Sequence, residues 1–190
     1  MEGKLVIFNH PLMHHKLSII RDENTGTKDF RITVSEIGKL MAYEVTRDWP
    51  TVDIDVKTPM GIAKCKKLAK EVVIVPILRA GLGMVDGINQ LIPTAKVGHV
   101  GLYRDETTLE PHEYYAKFPA TIKGATVIVL DPMLATGHSA VEAIKIIKKH
   151  KPAKIKFVCE VVCFVFGKSK PVAITVTIID SPNDSFIATP

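Results

Sequence analysis

The sequence predicts an α/β fold built on a doubly wound, mostly parallel sheet. Residues 72–78 (VVIVPIL) and 127–130 (VIVL) are continuous apolar runs, which are typical of strands covered on both faces. Each run is followed by a segment with the apolar spacing of a helix, at 82–92 and at 139–150. Strands that alternate with helices indicate a parallel sheet with helices on both faces. We therefore expect a single domain over residues 1–190.

The remaining elements are predicted from periodicity and turn residues. Residues 10–22 place their apolar side chains on one helix face, and residues 34–45 form a second amphipathic helix that ends before Pro50. The polar stretch 23–29 between them is expected to be a turn. Further strands are predicted, in chain order, at 52–56, 96–103, 155–166 and 173–180.

Composition is that of an ordinary globular protein. Of the 190 residues, 46% are hydrophobic and 24% are charged, and no apolar run approaches the roughly 20 residues that cross a bilayer. The N-terminus lacks the features of a secretory signal, so we expect a cytoplasmic protein with no membrane partner. The three cysteines show no CxxC spacing, which argues against a zinc site or a disulfide framework.

The basic residues are dispersed along the chain, and the formal net charge is +5. The richest stretches, 63–71 and 144–156, are interpreted as solvated helix faces. The alternative is that a mild positive charge favours phosphorylated small molecules. A nucleic-acid groove normally shows tighter clustering of Lys and Arg, so we do not expect nucleic acid as a partner.

A first candidate anion site follows the strand at 127–130. That strand leads into Asp131 and then into the small and hydroxyl residues of 135–139, where a helix begins. Main-chain N–H groups at a helix start converge on an anion, and small residues let a phosphate approach the backbone. Asp131 could accept hydrogen bonds from the paired hydroxyls of a sugar. The alternative is that a Ser or Thr here only caps the helix.

A second candidate anion site follows the strand at 72–78. Arg79 comes directly after this strand, and Ala80 and Gly81 follow it. An arginine at a strand end before a glycine can hold an anion; the alternative is a surface arginine before a tight turn. Ligands of doubly wound sheets bind where strands end, so one site could take a monophosphate and the other a pyrophosphate.

These segments together resemble a known enzyme family. Residues 127–140 (VIVLDPMLATGHSA) resemble the phosphoribosyl pyrophosphate (PRPP) signature of type I phosphoribosyltransferases, in the Asp-Pro form used by uracil phosphoribosyltransferases. Residues 75–88 (VPILRAGLGMVDGI) resemble the pyrophosphate loop of that family and the helix after it. Residues 97–119 resemble its mobile β-hairpin hood, and residues 1–32 its N-terminal helical arm. The resemblance runs in unbroken order over residues 5–160.

The resemblance implies transfer of a phosphoribosyl group from PRPP to uracil, giving UMP and pyrophosphate in pyrimidine salvage. Arg79, with the main-chain N–H groups of Ala80 and Gly81, would stabilise the departing pyrophosphate. Arg104 would add a second cation when the hood closes, and Asp131 would hold the ribose hydroxyls. The family's pyrophosphate loop also implies a non-proline cis peptide beside Arg79.

The implied site residues and cofactor can be stated residue by residue. The catalytic residues would be Arg79, Arg104 and Asp131. The implied PRPP-binding residues are Arg79, Ala80, Gly81, Arg104, Asp131, Met133, Ala135, Thr136, Gly137, His138 and Ser139. Mg²⁺ is the implied cofactor, held mainly by PRPP and water and by no dedicated protein ligands. The polar hood loop is open to two interpretations, a solvent hairpin or a closing segment that excludes water.

Two parts of the sequence depart from the family pattern. Residue 138 is His where the family has Gly, and it can still offer its main-chain N–H unless the loop needs a positive φ there. Its imidazole could contact a phosphate or lie exposed. Beyond Cys159 the segment 160–190 diverges, and Phe186 and Ile187 stand at the start of the family's uracil-reading loop. They are the implied uracil-binding residues.

The divergent C-terminal segment leaves two functions open. Base selectivity depends on buried polar matches, so the chain is predicted to be either a uracil phosphoribosyltransferase-like enzyme or a non-catalytic regulatory module that binds PRPP or a nucleotide. A homodimer or higher homo-oligomer is also expected, because the apolar residues of helix 11–20 require a covering surface.

Overall fold

The computed structural model describes residues 4–105, 111–134, 136–162 and 175–179. In chain order its elements are β1 (Lys4–Ile7), α1 (Pro11–Arg21), α2 (Thr27–Val45), β2 (Thr51–Thr58), β3 (Gly61–Leu68), β4 (Val72–Leu78), α3 (Leu82–Leu91), β5 (Lys96–Val97), β6 (His99–Arg104), β7 (Pro111–Lys117), a 3-10 turn (Ala120–Ile122), β8 (Thr126–Leu130), β9 (Met133–Leu134), α4 (His138–Lys148), β10 (Lys154–Cys159), β11 (Val161–Val162) and β12 (Thr175–Ile179).

The main sheet has the order β1-β12-β10-β8-β4-β6-β7, and β5 pairs with β4. The central strands β10, β8, β4 and β6 are mutually parallel, while β12, β1 and β7 are antiparallel to their neighbours. The predicted α/β class with a mostly parallel sheet is confirmed. Strands β4 and β8 lie side by side, with Pro76 opposite Leu130. Because they are parallel, their carboxyl ends lie together at the same end of the sheet.

Two hydrophobic clusters cover the two faces of this sheet. Val72 and Ile74 of β4 belong to the cluster that includes residues of α1, α2 and α3. Val73 and Val75 of the same strand belong to the other cluster, which includes residues of α4. A fully buried aliphatic side chain contributes roughly 1.5–3 kcal/mol relative to an exposed one. A strand that packs on both faces therefore has the continuous apolar sequence that predicted it.

Helix α1 buries its apolar face within its own chain. Met13 and Leu17 are buried, and they belong to the cluster that contains Ile37 and Met41 of α2. These two residues therefore need no second copy to cover them, whereas Leu12 of the same helix is 41% exposed. The predicted homodimer stays a prediction.

Four predicted elements differ from the structure. Helix α2 begins at Thr27, so the last three residues of the predicted turn are helical. Most of 63–71, interpreted as a solvated helix face, is strand β3, which pairs antiparallel with β2 in a separate two-stranded sheet. Strand β2 was predicted to be half-buried but is mostly exposed, because β3 is its one partner among the described strands. The strand predicted over 155–166 is interrupted after Cys159, and the short strand β11 follows after a bend; residues 163–166 lie outside the described residues.

A lysine is buried inside the sheet and ties it to helix α2. Lys156 is fully buried, and its Nζ donates to the Val45 carbonyl and to the Asp48 carboxylate. Lys154 Nζ also lies 2.7 Å from Asp48 Oδ2. Burial alone would raise the pKa of Asp48, but hydrogen bonds from the two lysines lower that pKa to about 2. The carboxylate therefore stays ionised and fixes the end of α2 to the beginning of β10.

Helices α2 and α3 approach each other closely at Gly87. A Cβ at this position would lie 1.9 Å from the Ser35 carbonyl oxygen, and backbone cannot move aside cheaply. We expect Gly87→Ala to lower the free energy of unfolding by about 3 kcal/mol, because forced overpacking separates the two helices. Thermal unfolding checks this, with Gly83→Ala in the same helix as the control, since its Cβ would approach only Val34 Cγ1, at 3.2 Å. Equal melting temperatures for the two variants would contradict the prediction.

Candidate active site

The two predicted anion sites lie side by side at the edge where β4 and β8 end. Arg79 follows β4, and Asp131 follows β8. A Cβ placed on Gly81 would lie 2.4 Å from the carbonyl oxygen of Leu130, the residue before Asp131. The loop after β4 therefore packs directly on the end of β8. Such contact requires glycine, because any side chain at this position would meet backbone.

The loop after β4 has the cis peptide that the family resemblance implied, and one of its N–H groups is hydrogen-bonded within the loop. The peptide bond between Leu78 and Arg79 is cis, as expected. The N–H of Gly81 donates to the Ile77 carbonyl at 2.9 Å, so it is already used within the loop. The expectation that this N–H stabilises pyrophosphate stays a prediction. Gly81 also provides the close packing described above, and Arg79 and the Ala80 N–H are the candidate donors beside it. Arg79 and Ala80 are exposed at this edge.

Asp131 is half-buried and directly follows β8. Its Oδ1 accepts a hydrogen bond of 3.3 Å from the Met133 N–H. Burial raises the pKa of Asp131 to about 6, although the Met133 N–H and the positive charge of Arg104 both act to lower it. Arg104 ends β6, the strand next to β4. Arg104 therefore lies near enough to Asp131 for its positive charge to act on that carboxyl.

The segment after Asp131 leads into the start of helix α4. Gly137 is the residue before this helix and has a φ of 78°, a conformation that favours glycine. Among the described non-glycine residues only Lys151 has a positive φ. His138 therefore fits as the first residue of the helix, with its side chain exposed. Because the capping position is glycine, the alternative that a Ser or Thr caps this helix is not supported.

The N-terminus of α4 is open towards an anion. The first N–H groups of a helix, here those of His138, Ser139 and Ala140, have no acceptor within the helix. They carry the positive end of the helix dipole, which favours a phosphate. Thr136 is exposed beside them, and Met133 is exposed on the approach. Ala135, Phe186 and Ile187 lie outside the described residues.

Strands β6 and β7 pair antiparallel within 97–119, the range of the predicted hood, of which residues 106–110 lie outside the described residues. Gly101 pairs with Tyr115 and Leu102 pairs with Glu113, so Tyr114 is an extra residue in the ladder. Its ring covers Gly101, since a Cβ there would lie 2.5 Å from Tyr114 Cζ. A bulge of this kind bends a strand and changes the direction of the neighbouring side chains. The hairpin continues to Arg104.

The family is settled by comparison with known proteins. A family model described as uracil phosphoribosyltransferase matches residues 6–180. This chain belongs to the uracil phosphoribosyltransferase family. A curated protein of that name from Ligilactobacillus salivarius (strain UCC118) is 58% identical over 158 residues, which are 83% of this chain and 76% of that protein.

Solved structures agree with the fold of a uracil phosphoribosyltransferase family member. A protein from Aquifex aeolicus superposes with a TM-score of 0.78 and 41% identity, covering 83% of this chain and 76% of that one. A hypoxanthine-guanine phosphoribosyltransferase from Bacillus anthracis str. 'Ames Ancestor' superposes with a TM-score of 0.54 and 17% identity, covering 75% of this chain and 74% of that one. The second similarity supports the type I phosphoribosyltransferase fold alone.

One residue beside the site of this uracil phosphoribosyltransferase family member was missed by sequence reasoning. Glu160 is buried just after β10, and its main-chain N–H donates to the Pro132 carbonyl at 3.2 Å. A single acid inside the otherwise apolar run of 157–163 was the signal that could have drawn attention to it.

Within the described ranges, no helix is both long and apolar enough to span a bilayer. No group of three or more His, Cys, Asp and Glu side chains in the described part of the chain is arranged to hold a metal ion.

Proposed function

We propose that this chain transfers the phosphoribosyl group of PRPP to N1 of uracil and releases UMP and pyrophosphate. The observation that carries this proposal is the packing of Gly81 on Leu130, with 2.4 Å between the Cβ position and the carbonyl oxygen. That contact brings the loop after β4, which carries Arg79, against the end of β8, where Asp131 begins the loop that leads to α4. An activated sugar with a phosphate at each end fits such an arrangement. The comparisons give no support to a non-catalytic module.

The loop that leads to α4 suits the 5′-phosphate of the sugar. The first main-chain N–H groups of α4, with the hydroxyls of Thr136 and Ser139, can donate to its oxygens. Gly137 lets a phosphate oxygen approach the backbone closely, because it has no side chain. His138 can contribute its main-chain N–H, and its exposed imidazole can reach the same phosphate. We propose the same subsite for Met133 and Ala135 by position in the loop.

Asp131 suits the ribose ring between the two phosphates. When ionised, it can accept hydrogen bonds from two neighbouring ribose hydroxyls. The transition state of such a transfer has positive charge on the ring, which a carboxylate nearby also stabilises.

Arg79 and Arg104 suit the leaving group. As the bond from C1′ to the pyrophosphate oxygen breaks, negative charge grows on the pyrophosphate. The bond from C1′ to N1 forms, and the N1 proton passes to the released pyrophosphate or to water. Arg79 and the Ala80 N–H would stabilise that charge from the loop after β4. Arg104 would do so from the hood, whose closure would exclude water from the activated sugar.

Mg²⁺ fits this site as an ion carried by the substrate. Mg²⁺ usually keeps several waters and binds substrate phosphates with one or two carboxylates. The described site offers Asp131 and no cluster of further ligands, so PRPP and water would supply its coordination. When bound, the ion would neutralise part of the pyrophosphate charge.

The rate should fall on the acid side of about pH 6. Burial raises the pKa of Asp131 to about 6, so lowering the pH through that value protonates the carboxylate and removes its acceptor capacity. We expect kcat/KM for PRPP to fall about tenfold per pH unit below this point. The Asp131→Asn variant should be slower and should lose this limb in a pH–rate profile. An identical acid limb in the variant would assign the limb to another group.

Turnover of labelled PRPP with uracil and Mg²⁺ tests the proposed activity. The expected result is UMP and pyrophosphate in equal amounts. Consumption of PRPP without UMP, or saturable PRPP binding without any turnover, would overturn it. The predicted uracil contacts at Phe186 and Ile187 and the cytoplasmic location stay predictions.

We also propose that the chain forms a homodimer, now for a different reason. The β2–β3 hairpin carries exposed apolar side chains, among them Met60 at 97% and Ile62 at 75% exposure. Exposed apolar surface of this kind favours association. Sedimentation of the chain and of a Met60→Ser, Ile62→Ser variant tests the proposal, with a monomeric wild type as the contradicting result.

A further inference from the structure

The chain after β10 continues beside the chain after β8, beyond the ends of both strands. The Asp131 N–H donates to the Val158 carbonyl at 3.1 Å, and the Glu160 N–H donates to the Pro132 carbonyl at 3.2 Å. Strand β11 then pairs in parallel with β9. We call these contacts between residues 158–162 and 131–134 the extended ladder. They hold the segment that starts with Asp131.

Glu160 occupies the centre of the extended ladder, with a side chain only 1% exposed. Its Oε1 has no hydrogen-bond partner among the residues that the structure describes. Burial of a carboxyl oxygen that has no hydrogen-bond partner disfavours the charged form of the group. Burial raises the pKa of Glu160 to about 8, so the group is largely uncharged at neutral pH.

The charged groups of neighbouring elements do not account for this shift. Burial is its cause, with no contribution from Asp131 after β8 or from Arg104 of β6. Lys156 lies in β10, the strand before Glu160. Its Nζ donates to Asp48 and to the Val45 carbonyl. A charge on Glu160 would therefore be unfavourable where it lies.

We propose that Glu160 is a positioning residue of the active site, whose buried side chain fixes the extended ladder and so orients Asp131 towards the ribose. The inference rests on the proposed function for its effect on PRPP. A charged Glu160 side chain would be drawn towards water. Because the same residue donates to the Pro132 carbonyl, its departure would break that bond and loosen the β9–β11 pairing.

The direction of the pH effect follows from the two pKa values of Glu160. With its side chain buried in the extended ladder, Glu160 has a pKa of about 8, compared with an ordinary value of 4.5. The extended ladder therefore has its full stability below about pH 4.5. The contribution of the buried Glu160 side chain to that stability is lost progressively as the pH rises to about 8. Above that pH, no further loss comes from this group.

The test measures PRPP binding by calorimetry, with Mg²⁺, for the wild type and Glu160→Gln between pH 6.5 and 8.5. Both proteins experience the same ionisation of PRPP and of Asp131, so the ratio of their Kd values isolates Glu160. We expect the wild-type Kd to rise relative to the variant by severalfold, at most about tenfold per pH unit, and to level off above pH 8. Glu23→Gln, at an exposed position, is the matched control and should follow the wild type.

Hydrogen exchange of the main-chain amides in 131–134 gives a readout that does not depend on substrate. We expect these amides to exchange faster in the wild type than in Glu160→Gln at pH 8, and this difference to be much smaller at pH 5, close to the ordinary pKa of 4.5. Glu160→Met serves the same purpose should the glutamine variant not fold. Parallel pH dependence of Kd and of exchange in wild type and variant would overturn the inference. No PRPP binding by wild type at any pH would refute the proposed function, and hydrogen exchange would still decide the role of Glu160.

Discussion

Replacing Arg79 by alanine should lower kcat by about 10²–10³-fold, while the affinity for UMP changes by no more than about threefold. The loss corresponds to removing one preorganised donor from the site where charge develops, a term worth roughly 3–4 kcal/mol in other enzymes. Arg79 stands at the end of β4, whereas the proposed 5′-phosphate subsite is at the start of α4. UMP carries the 5′-phosphate but no pyrophosphate, so its binding reports on the second subsite alone.

The control for Arg79 is an arginine near the amino ends of the central strands, away from the proposed site. Arg47 is an exposed residue after α2 that pairs with Glu44, and the neighbouring Asp48 is bonded to Lys154 at the beginning of β10. Arg47→Ala should leave both kcat and the Kd of UMP unchanged. Equal losses of kcat and UMP affinity in Arg79→Ala would show that Arg79 binds the whole substrate uniformly and has no specific part in departure of pyrophosphate.

Replacing Gly81 by alanine should abolish most of the activity by separating the two loops of the site. The added Cβ would lie 2.4 Å from the Leu130 carbonyl oxygen, 2.9 Å from the Ile77 nitrogen and 3.0 Å from the Ile77 carbonyl oxygen. All three atoms are backbone, so the loop after β4 has to move. A misplacement of about 1 Å can cost on the order of 10²-fold in rate, and we expect kcat/KM for PRPP to fall at least that far.

The control for Gly81→Ala is the same substitution two residues later, at Gly83. Gly83→Ala meets only a Val34 methyl, at 3.2 Å, and alanine has a higher helix propensity than glycine. We expect this variant to keep its kcat/KM within about threefold. Steady-state kinetics and thermal unfolding of both variants separate loss of the site from loss of the fold. Equal kcat/KM values for the two variants would contradict the proposed contact between the loops.

The parallel core and the residues at its strand ends were predictable from sequence. Strands β4 and β8 are covered on both faces, so their sequences are apolar throughout and end abruptly at polar residues. Topology then places those ends together without any knowledge of side-chain contacts. Arg79, Asp131 and the start of α4 were found in this way. The family resemblance added the cis peptide at Arg79 and the hairpin hood.

The parts that were not predictable depend on contacts between distant segments. Strand β3 is rich in lysine and belongs to a hairpin outside the main sheet, so no apolar pattern distinguishes it from a solvated helix. Lys156 is charged yet fully buried, because Asp48 and Val45, more than a hundred positions earlier, supply its partners. The hydrogen bond that uses the Gly81 N–H likewise follows from loop geometry, which composition does not report.

Among the described strands, β1 pairs with β12 alone, with Lys4 opposite Ile178. On a ribosome, β1 thus emerges long before its partner, since the chain between Ile7 and Thr175 has to be synthesised in between. Until then it presents unsatisfied backbone groups, which are prone to pairing with foreign chains. Closure of this edge is a late event of folding, and contacts of such long sequence separation form slowly.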